Sequence, residues 1–183
     1  MHSFDSLVKS LEKEELSDGD LEEMLRGKTN IVPYNDLKHV RCIEDILAPY
    51  GNAIIFYQET ENQGHWCVVI DRGDHYEFFD SYGYAPDEVL PLMPYSGKVP
   101  YLRNLLEATD KWVVWNPYQL QSDDPDIATC GYYSFLRIML HRMPLLKFIK
   151  LFTNKKKSAD YIASRLTILL ALANVIEGEK IDP

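Results

Sequence analysis

The spacing of the apolar residues predicts helices at the beginning of the chain. Leu7, Val8 and Leu11 recur at positions that share one face of a helix, and charged residues fill most of the remaining positions. A second short helix follows, for which Asp18 or Asp20 could supply the N-terminal cap. Residues 1–30 are therefore predicted to form a helical N-terminal extension.

The pattern changes to short runs of β-branched and aromatic residues in the middle of the chain. Three such runs, residues 53–58, 66–71 and 76–80, are separated by Glu-Asn-Gln-Gly and Arg-Gly-Asp, which are typical turn sequences. A fourth run lies at residues 111–116, whereas the segment around Pro33 is expected to be a loop. These runs predict a meander of three strands and a fourth strand later in the chain.

Helical spacing returns in the last third of the chain. Residues 130–141 carry closely spaced apolar side chains, which predicts a largely buried helix, and residues 160–176 predict a final one. Shorter helices are predicted at residues 42–47 and 101–107. Because no internal repeat is found, the expected fold is one α+β domain over residues 1–183, with a central mixed β-sheet of about four to five strands flanked by helices.

Composition and charge exclude several classes of function. The chain has 183 residues, 46% of them hydrophobic, and a net charge of −9, which is typical of a folded protein with an acidic surface. Nucleic-acid binding relies on clustered Lys and Arg, so no nucleic-acid partner is expected, and the run at residues 155–157 is interpreted as a solvated turn. The N-terminus lacks a signal-peptide pattern, and the longest apolar run is too short for a bilayer, so no membrane partner is expected. The three cysteines form no CxxC pair, so free thiols and no metal site are expected.

One of these cysteines has the position of a nucleophile. Cys130 is predicted in the first turn of the buried helix, where unpaired N–H groups and the helix dipole favour a thiolate. His65 lies at the start of one predicted strand and Asp80 at the end of the next, so pairing through the Arg-Gly-Asp turn should bring them side by side. An imidazole can accept the thiol proton, and a carboxylate on its other nitrogen stabilises the imidazolium. The pattern predicts a catalytic triad of Cys130, His65 and Asp80.

Acyl transfer at a cysteine also requires donors for the developing oxyanion. The backbone N–H of Cys130 is one candidate. A side-chain amide from the preceding loop is the other, with Gln121 preferred over Gln119 because it is closer to the cysteine. Gly131 is expected to leave room for substrate. Trp66 is expected to shield or line the site, although core packing explains it equally well.

The order of these motifs resembles a known family. His-Trp, then Phe-Asp-Ser-Tyr-Gly, then Gln, then Thr-Cys-Gly is similar to the adenovirus-type cysteine proteases, above all to the maturation proteases of virophages, polinton-like elements and large DNA viruses. The SUMO-specific and NEDD8-specific proteases share this order.

The resemblance implies a circularly permuted papain-like arrangement, with residues 53–142 as the catalytic core. It implies an endopeptidase that cleaves beside small residues, of the Gly-Gly or Ala-Gly type, in viral capsid or core precursors. A monomer without cofactors is expected, in the host cytoplasm or in the virion.

Several alternatives stay open. The same residues would serve a deubiquitinase or SUMO-type isopeptidase acting on host conjugates, or an acyltransferase. Gln121 lies nine positions before Cys130, farther than in the best-known members of the family it resembles, and this lengthened loop would suit a non-catalytic virion component. Cys67 shares a strand face with His65 and competes as nucleophile, but it lacks a helix N-terminus and is expected to pack in the core. Cys42 is expected to pack a helix.

Overall fold

The computed structural model describes residues 4–153 and 156–179 and shows an α+β fold around one mixed sheet. The strands are β1 (Asn30–Pro33), β2 (Asn52–Gln58), β3 (Gly64–Asp71), β4 (His75–Phe79) and β5 (Trp112–Trp115). The helices are α1 (Phe4–Leu11), α2 (Asp18–Leu25), α3 (Glu44–Leu47), α4 (Tyr101–Glu107), α5 (Cys130–Met139), α6 (Leu145–Lys150) and α7 (Ala159–Glu179), and three short 3-10 helices cover Tyr34–His39, Leu90–Leu92 and Pro94–Ser96. The predicted fold class is confirmed.

The five strands pair in the order in which they occur in the chain. The two central pairings, β2 with β3 and β3 with β4, are antiparallel, and the two outer pairings are parallel. All four predicted strands are present. The β3–β4 hairpin pairs Val68 with Phe79, so its register differs by two residues from the expected pairing of His65 with Asp80.

The prediction of a loop around Pro33 is wrong, because β1 ends at that residue. β1 has only four residues, is only partly buried, and runs parallel to β2 at the edge of the sheet. Proline is tolerated there because it ends the strand on the sheet edge. A strand this short gives no period that distinguishes it from a loop.

The sheet separates two hydrophobic cores. On one face, Cys67 and Val69 of β3 pack with residues of β2 and α4. On the other face, Trp66 and Val68 of β3 pack against α5. Strand alternation therefore sends His65 and Cys67 to one face of the sheet and Trp66 to the face that carries α5.

A buried ion pair joins α5 to the sheet. Arg137 of α5 donates two hydrogen bonds to Glu77 of β4, at 2.6 and 3.0 Å, and Arg72 donates two more at 3.0 and 2.8 Å. Arg137 also donates to the backbone oxygens of Leu140 and Met143, both at 2.9 Å. Every side of this buried guanidinium therefore has an acceptor, and α5 is fixed relative to β4.

Two local predictions are corrected by the structure. The cap of α2 is Ser17 rather than Asp18 or Asp20: its hydroxyl accepts from the backbone N–H of Asp20, whose carboxylate accepts in return from the N–H of Ser17. This reciprocal capping box satisfies two of the free N–H groups of the helix. Cys42 does not pack a helix, because α3 begins two residues later and the thiol is exposed.

The N-terminal helix docks on the C-terminal one. α1 packs against α7, and the Tyr161 hydroxyl of α7 donates to the Asp5 carboxylate. Among the residues that the structure describes, no helix has the length and hydropathy required to span a bilayer. Lys155, the middle of the basic run interpreted as a solvated turn, lies outside the described residues.

Candidate active site

A histidine and an aspartate meet at one end of the sheet. His65 is the second residue of β3, and Asp80 directly follows β4. The His65 Nε2 atom lies 3.1 Å from the Asp80 Oδ2 atom, and neither residue is more than 2% exposed. A carboxylate at this distance fixes the orientation and the tautomer of an imidazole.

The histidine also shares a cleft with the predicted nucleophile. Cys130 is the first residue of α5, and it lines the same cleft as His65. Since Nε2 faces Asp80, the other ring nitrogen is the one available to the thiol. Burial alone would lower the pKa of His65, but the charge of Asp80 and the hydrogen bonds to Asp80 and Cys130 outweigh it and raise the pKa well above its ordinary value. The arrangement stabilises an imidazolium beside the sulfur.

A second thiol lies in the same site. The Cys67 Sγ atom is 3.2 Å from Asp80 Oδ2, the oxygen that also faces His65. Burial and then the charge of Asp80 raise the pKa of this thiol, so Cys67 is held in its protonated form and donates to the carboxylate. It lies in the core, as the sequence predicted.

The turn after β4 holds the carboxylate in place. Asp80 Oδ1 accepts from the backbone N–H of Tyr82 at 2.6 Å, and its backbone oxygen accepts from the Asn116 side chain at 3.0 Å and from the N–H of Gly83. Gly83 has a φ of 84°, and a Cβ there would lie 2.9 Å from the Tyr118 carbonyl carbon. The turn therefore requires glycine, for reasons of backbone conformation and of space.

The preferred glutamine lies in the same cleft. Gln121 is 2% exposed, accepts from the Ser81 hydroxyl at 2.8 Å, and donates through Nε2 to the Tyr82 hydroxyl at 3.0 Å and the Ile127 oxygen at 3.3 Å. Gln119 instead is exposed and donates to Asp123 at 2.7 Å. Of the two amides, that of Gln121 faces the cleft that contains Cys130.

The cleft itself has a volume of about 560 Å³, and its rim is acidic. His65, Tyr82, Gln121 and Cys130 line its floor. The charged residues around it are Lys13, Glu15, Glu59, Asp123, Asp124 and Asp126. One cation therefore faces five carboxylates, which disfavours an acidic ligand.

A segment of the N-terminal extension crosses one end of this cleft. The backbone oxygen of Glu12 accepts from the N–H of Ala128 at 2.8 Å, on the cysteine side, and the oxygen of Leu16 accepts from the Trp66 indole at 3.0 Å, on the histidine side. A Cβ on Gly131 would lie 2.9 Å from Leu16 Cβ. The space beside Gly131 is thus filled by Leu16. Trp66 packs against the same segment. The predicted roles of Gly131 and Trp66 in binding substrate stay predictions.

Sequence reasoning missed three contributors to this site. The sequence assigns Asn116 only to the fourth strand and interprets Tyr82 mainly as a packing residue that could line a narrow groove. It gives residues 12–16 no defined place in the site. Asn116 ends the predicted fourth strand, and a parallel pairing of that strand with β4 would have brought it beside Asp80. No pattern in the sequence indicates the course of residues 12–16.

Comparison with known proteins gives one sequence relative and several distant structures. No model of a known protein family matches the chain. It is 34% identical over 172 residues to the uncharacterized protein V9 of Sputnik virophage, an alignment that covers 88% of this chain and 98% of V9. In structure it is similar to the ASFV pS273R protease, with a TM-score of 0.49 and 15% identity over 85% of this chain and 67% of that one. It is also similar to the Ulp1 protease domain solved in complex with Smt3, the yeast ortholog of SUMO, with a TM-score of 0.41 and 15% identity over 93% and 81% of the two chains.

Proposed function

The chain belongs to the same protein family as V9 of Sputnik virophage, and we propose that it is a cysteine peptidase that processes viral precursor proteins. The virophage source of this relative agrees with the resemblance found in the sequence. One observation carries the proposed chemistry: the buried His65 imidazole lies 3.1 Å from the Asp80 carboxylate and lines the same cleft as Cys130.

In this proposal Cys130 is the nucleophile. His65 takes the thiol proton, and the resulting sulfur anion attacks the carbonyl carbon of the scissile bond. His65 then gives the proton to the leaving amine, which leaves the acyl group on sulfur as a thioester. Water, activated by His65, hydrolyses the thioester and restores the thiol. Asp80 keeps the imidazole oriented through both steps.

Two donors are proposed for the oxyanion. The backbone N–H of Cys130 lies in the first turn of α5, where helix N–H groups have no intrahelical acceptor. Gln121 supplies the other donor through its Nε2 atom, which now donates to the Tyr82 hydroxyl in the same cleft. Burial raises the pKa of Tyr82 to about 12, so this hydroxyl stays neutral and can move with the amide when substrate binds.

The substrate is proposed to be a polypeptide with small residues at the cleaved bond. The Tyr82 ring lies 5.0 Å from the His65 ring and narrows the cleft beside the thiol, which favours residues without a bulky side chain. The acidic rim favours substrates with neutral or basic residues on either side of this bond. Capsid or core precursors of a virus or virus-like element are the proposed natural substrates.

Cleavage of matched peptides tests both the chemistry and the preference. Purified protein is given Gly-Gly and Ala-Gly peptides that carry either Lys or Glu in the flanking positions, together with a precursor capsid protein. We expect cleavage after the small residues and faster turnover of the Lys-flanked peptides. Cys130→Ala should abolish turnover, whereas Cys42→Ser, which changes an exposed thiol remote from the site, should leave it unchanged.

Active-site probes separate the proposed substrate class from the alternatives. Vinyl sulfone probes of ubiquitin and SUMO are compared with a Gly-Gly peptide vinyl sulfone. Labelling of Cys130 by the peptide probe alone supports the precursor protease, and labelling by a ubiquitin-like probe would assign an isopeptidase instead. Cleavage that persists in Cys130→Ala, or a Cys130 thiol that iodoacetamide alkylates no faster than free cysteine, would reject the peptidase.

A further inference from the structure

Three side chains of the site present metal-ligating atoms to one another. His65, Cys67 and Asp80 each offer one ligand atom, and these atoms all lie within 4.8 Å of one another. Asp80 Oδ2 is the shared neighbour, at 3.1 Å from His65 Nε2 and 3.2 Å from Cys67 Sγ. The proposed catalysis uses the histidine and the aspartate but gives the Cys67 thiol no role.

Two of the three spacings are close to those around a tetrahedral ion, and the third, between His65 and Cys67, is within 4.8 Å. Zinc bonds of about 2.0–2.3 Å hold neighbouring ligand atoms about 3.3–3.6 Å apart. The two measured distances would have to open by only a few tenths of an ångström for the ion to replace the protons now between these atoms. All three residues are at least 98% buried, so the ligands are already desolvated and held by the strands and the turn after β4.

The mixture of donor atoms selects the kind of ion. Thiolate sulfur and imidazole nitrogen favour Zn²⁺, Co²⁺ and Cd²⁺, whereas Mg²⁺ and Ca²⁺ require mostly oxygen ligands. Three protein ligands leave a fourth tetrahedral position for water, which the adjoining cleft can supply.

We propose that His65, Cys67 and Asp80 form a binding site for Zn²⁺, and that its occupation inhibits the enzyme reversibly. Binding releases to water the Cys67 thiol proton and the proton between His65 and Asp80. The imidazole then bonds the ion through Nε2 and no longer receives the support of the Asp80 carboxylate. Inhibition rests on the proposed peptidase function, whereas binding does not.

Cobalt provides a readout that needs no substrate. Co²⁺ is titrated into the reduced full-length protein, and the thiolate-to-cobalt charge-transfer absorption is recorded, followed by displacement with Zn²⁺. We expect one ion per chain with a thiolate band in the wild type, in Cys42→Ser and in Cys130→Ala. Cys67→Ala and Cys67→Ser should lose the band and bind Zn²⁺ at least ~100-fold more weakly, since removing a ligand should exceed the 10–100-fold effect of removing an outer-shell partner.

Turnover is then measured with and without Zn²⁺, and after addition of a chelator. The wild type and Cys42→Ser should lose turnover with Zn²⁺ and regain it with chelator, whereas any Cys67 variant that retains turnover should resist Zn²⁺. Circular dichroism confirms that each variant is folded. A band that survives in both Cys67 variants, a band that disappears only in Cys130→Ala, or no band in folded wild type would overturn the site. Normal metal binding without turnover would reject the peptidase and leave the site standing.

Discussion

Replacement of Glu77 by alanine should lower the free energy of unfolding by about 3–5 kcal/mol. The Glu77 carboxylate accepts four hydrogen bonds from two guanidinium groups, at distances from 2.6 to 3.0 Å. Its side chain is 4% exposed, and that of Arg137 is fully buried. The substitution removes the only carboxylate that the described residues offer to Arg137.

The size of this loss in stability follows from the charge of Arg137, which remains buried after the substitution. Burial lowers the pKa of Arg137, and the charge of Glu77 opposes that effect. Without Glu77, Arg137 keeps its two backbone acceptors but loses its counter-ion in the core, which is the situation in which breaking a buried pair is strongly destabilising. A double variant, Glu77→Leu with Arg137→Met, removes the two most deeply buried charges and should recover most of the loss, because their desolvation is removed with them. Arg72, the remaining charge of the cluster, is 19% exposed and keeps the His141 backbone oxygen as an acceptor.

Urea denaturation followed by tryptophan fluorescence measures these differences. The matched control is Lys13→Ala, which breaks an ion pair with Asp126 at 3.1 Å whose side chains are 61% and 71% exposed. An exposed pair contributes little, so this variant should stay within about 0.5 kcal/mol of the wild type. A loss below about 1 kcal/mol in Glu77→Ala, or a double variant no more stable than it, would show that the reasoning about the buried charge is wrong.

Three further predictions concern the site. Gly64→Ala would bring a Cβ within 2.1 Å of the Tyr57 carbonyl oxygen, so it should distort the start of β3 and reduce turnover together with thermal stability; an unchanged melting temperature would contradict this. The pKa of His65 is raised, despite its burial, by the charge of Asp80, so protonated His65 stabilises the fold fully below about pH 6.5, and this contribution is lost as pH rises through the raised pKa. His65→Gln should therefore reduce the free energy of unfolding most below about pH 6.5, and less as the pH rises above it. A difference in urea denaturation that does not change with pH would refute the raised pKa of His65. Tyr82→Phe removes the hydroxyl that accepts from Gln121 at 3.0 Å, so steady-state kinetics should show a lower kcat with stability within about 1 kcal/mol, and unchanged kinetics would contradict this.

The sequence predicts four of the five strands and misses only β1, which lies at one edge of the sheet. The runs in β2, β3 and β4 are long enough to show β-branched and aromatic enrichment between clear turns, and all three strands are present. β1 has only four residues and depends on its pairing with β2, so no local pattern distinguishes it from a loop. Tertiary pairing, which a single sequence does not display, decides such a strand.

The predicted site residues do converge, because their positions at element ends are readable from the sequence. His65 and Asp80 meet even though the hairpin register is shifted by two residues, since the diagonal neighbour is still within reach of an imidazole. The same shift places Cys67 against Asp80, a contact that pairing 65 with 80 does not predict. The catalytic roles of these residues, and that of Gln121, remain predictions for the variants above.

The docking of α1 on α7 has a consequence for the order in which the molecule is completed. Asp5 accepts a hydrogen bond from Tyr161, and the Glu12 carboxylate accepts one from the Ser158 hydroxyl at 3.3 Å. During synthesis, both donors are therefore made about 150 residues after their acceptors. Helix α1 therefore cannot reach its final position until α7 has been synthesised. The contacts of residues 12–16 with Ala128 and Trp66 involve earlier parts of the chain, so the N-terminal extension is completed in two stages.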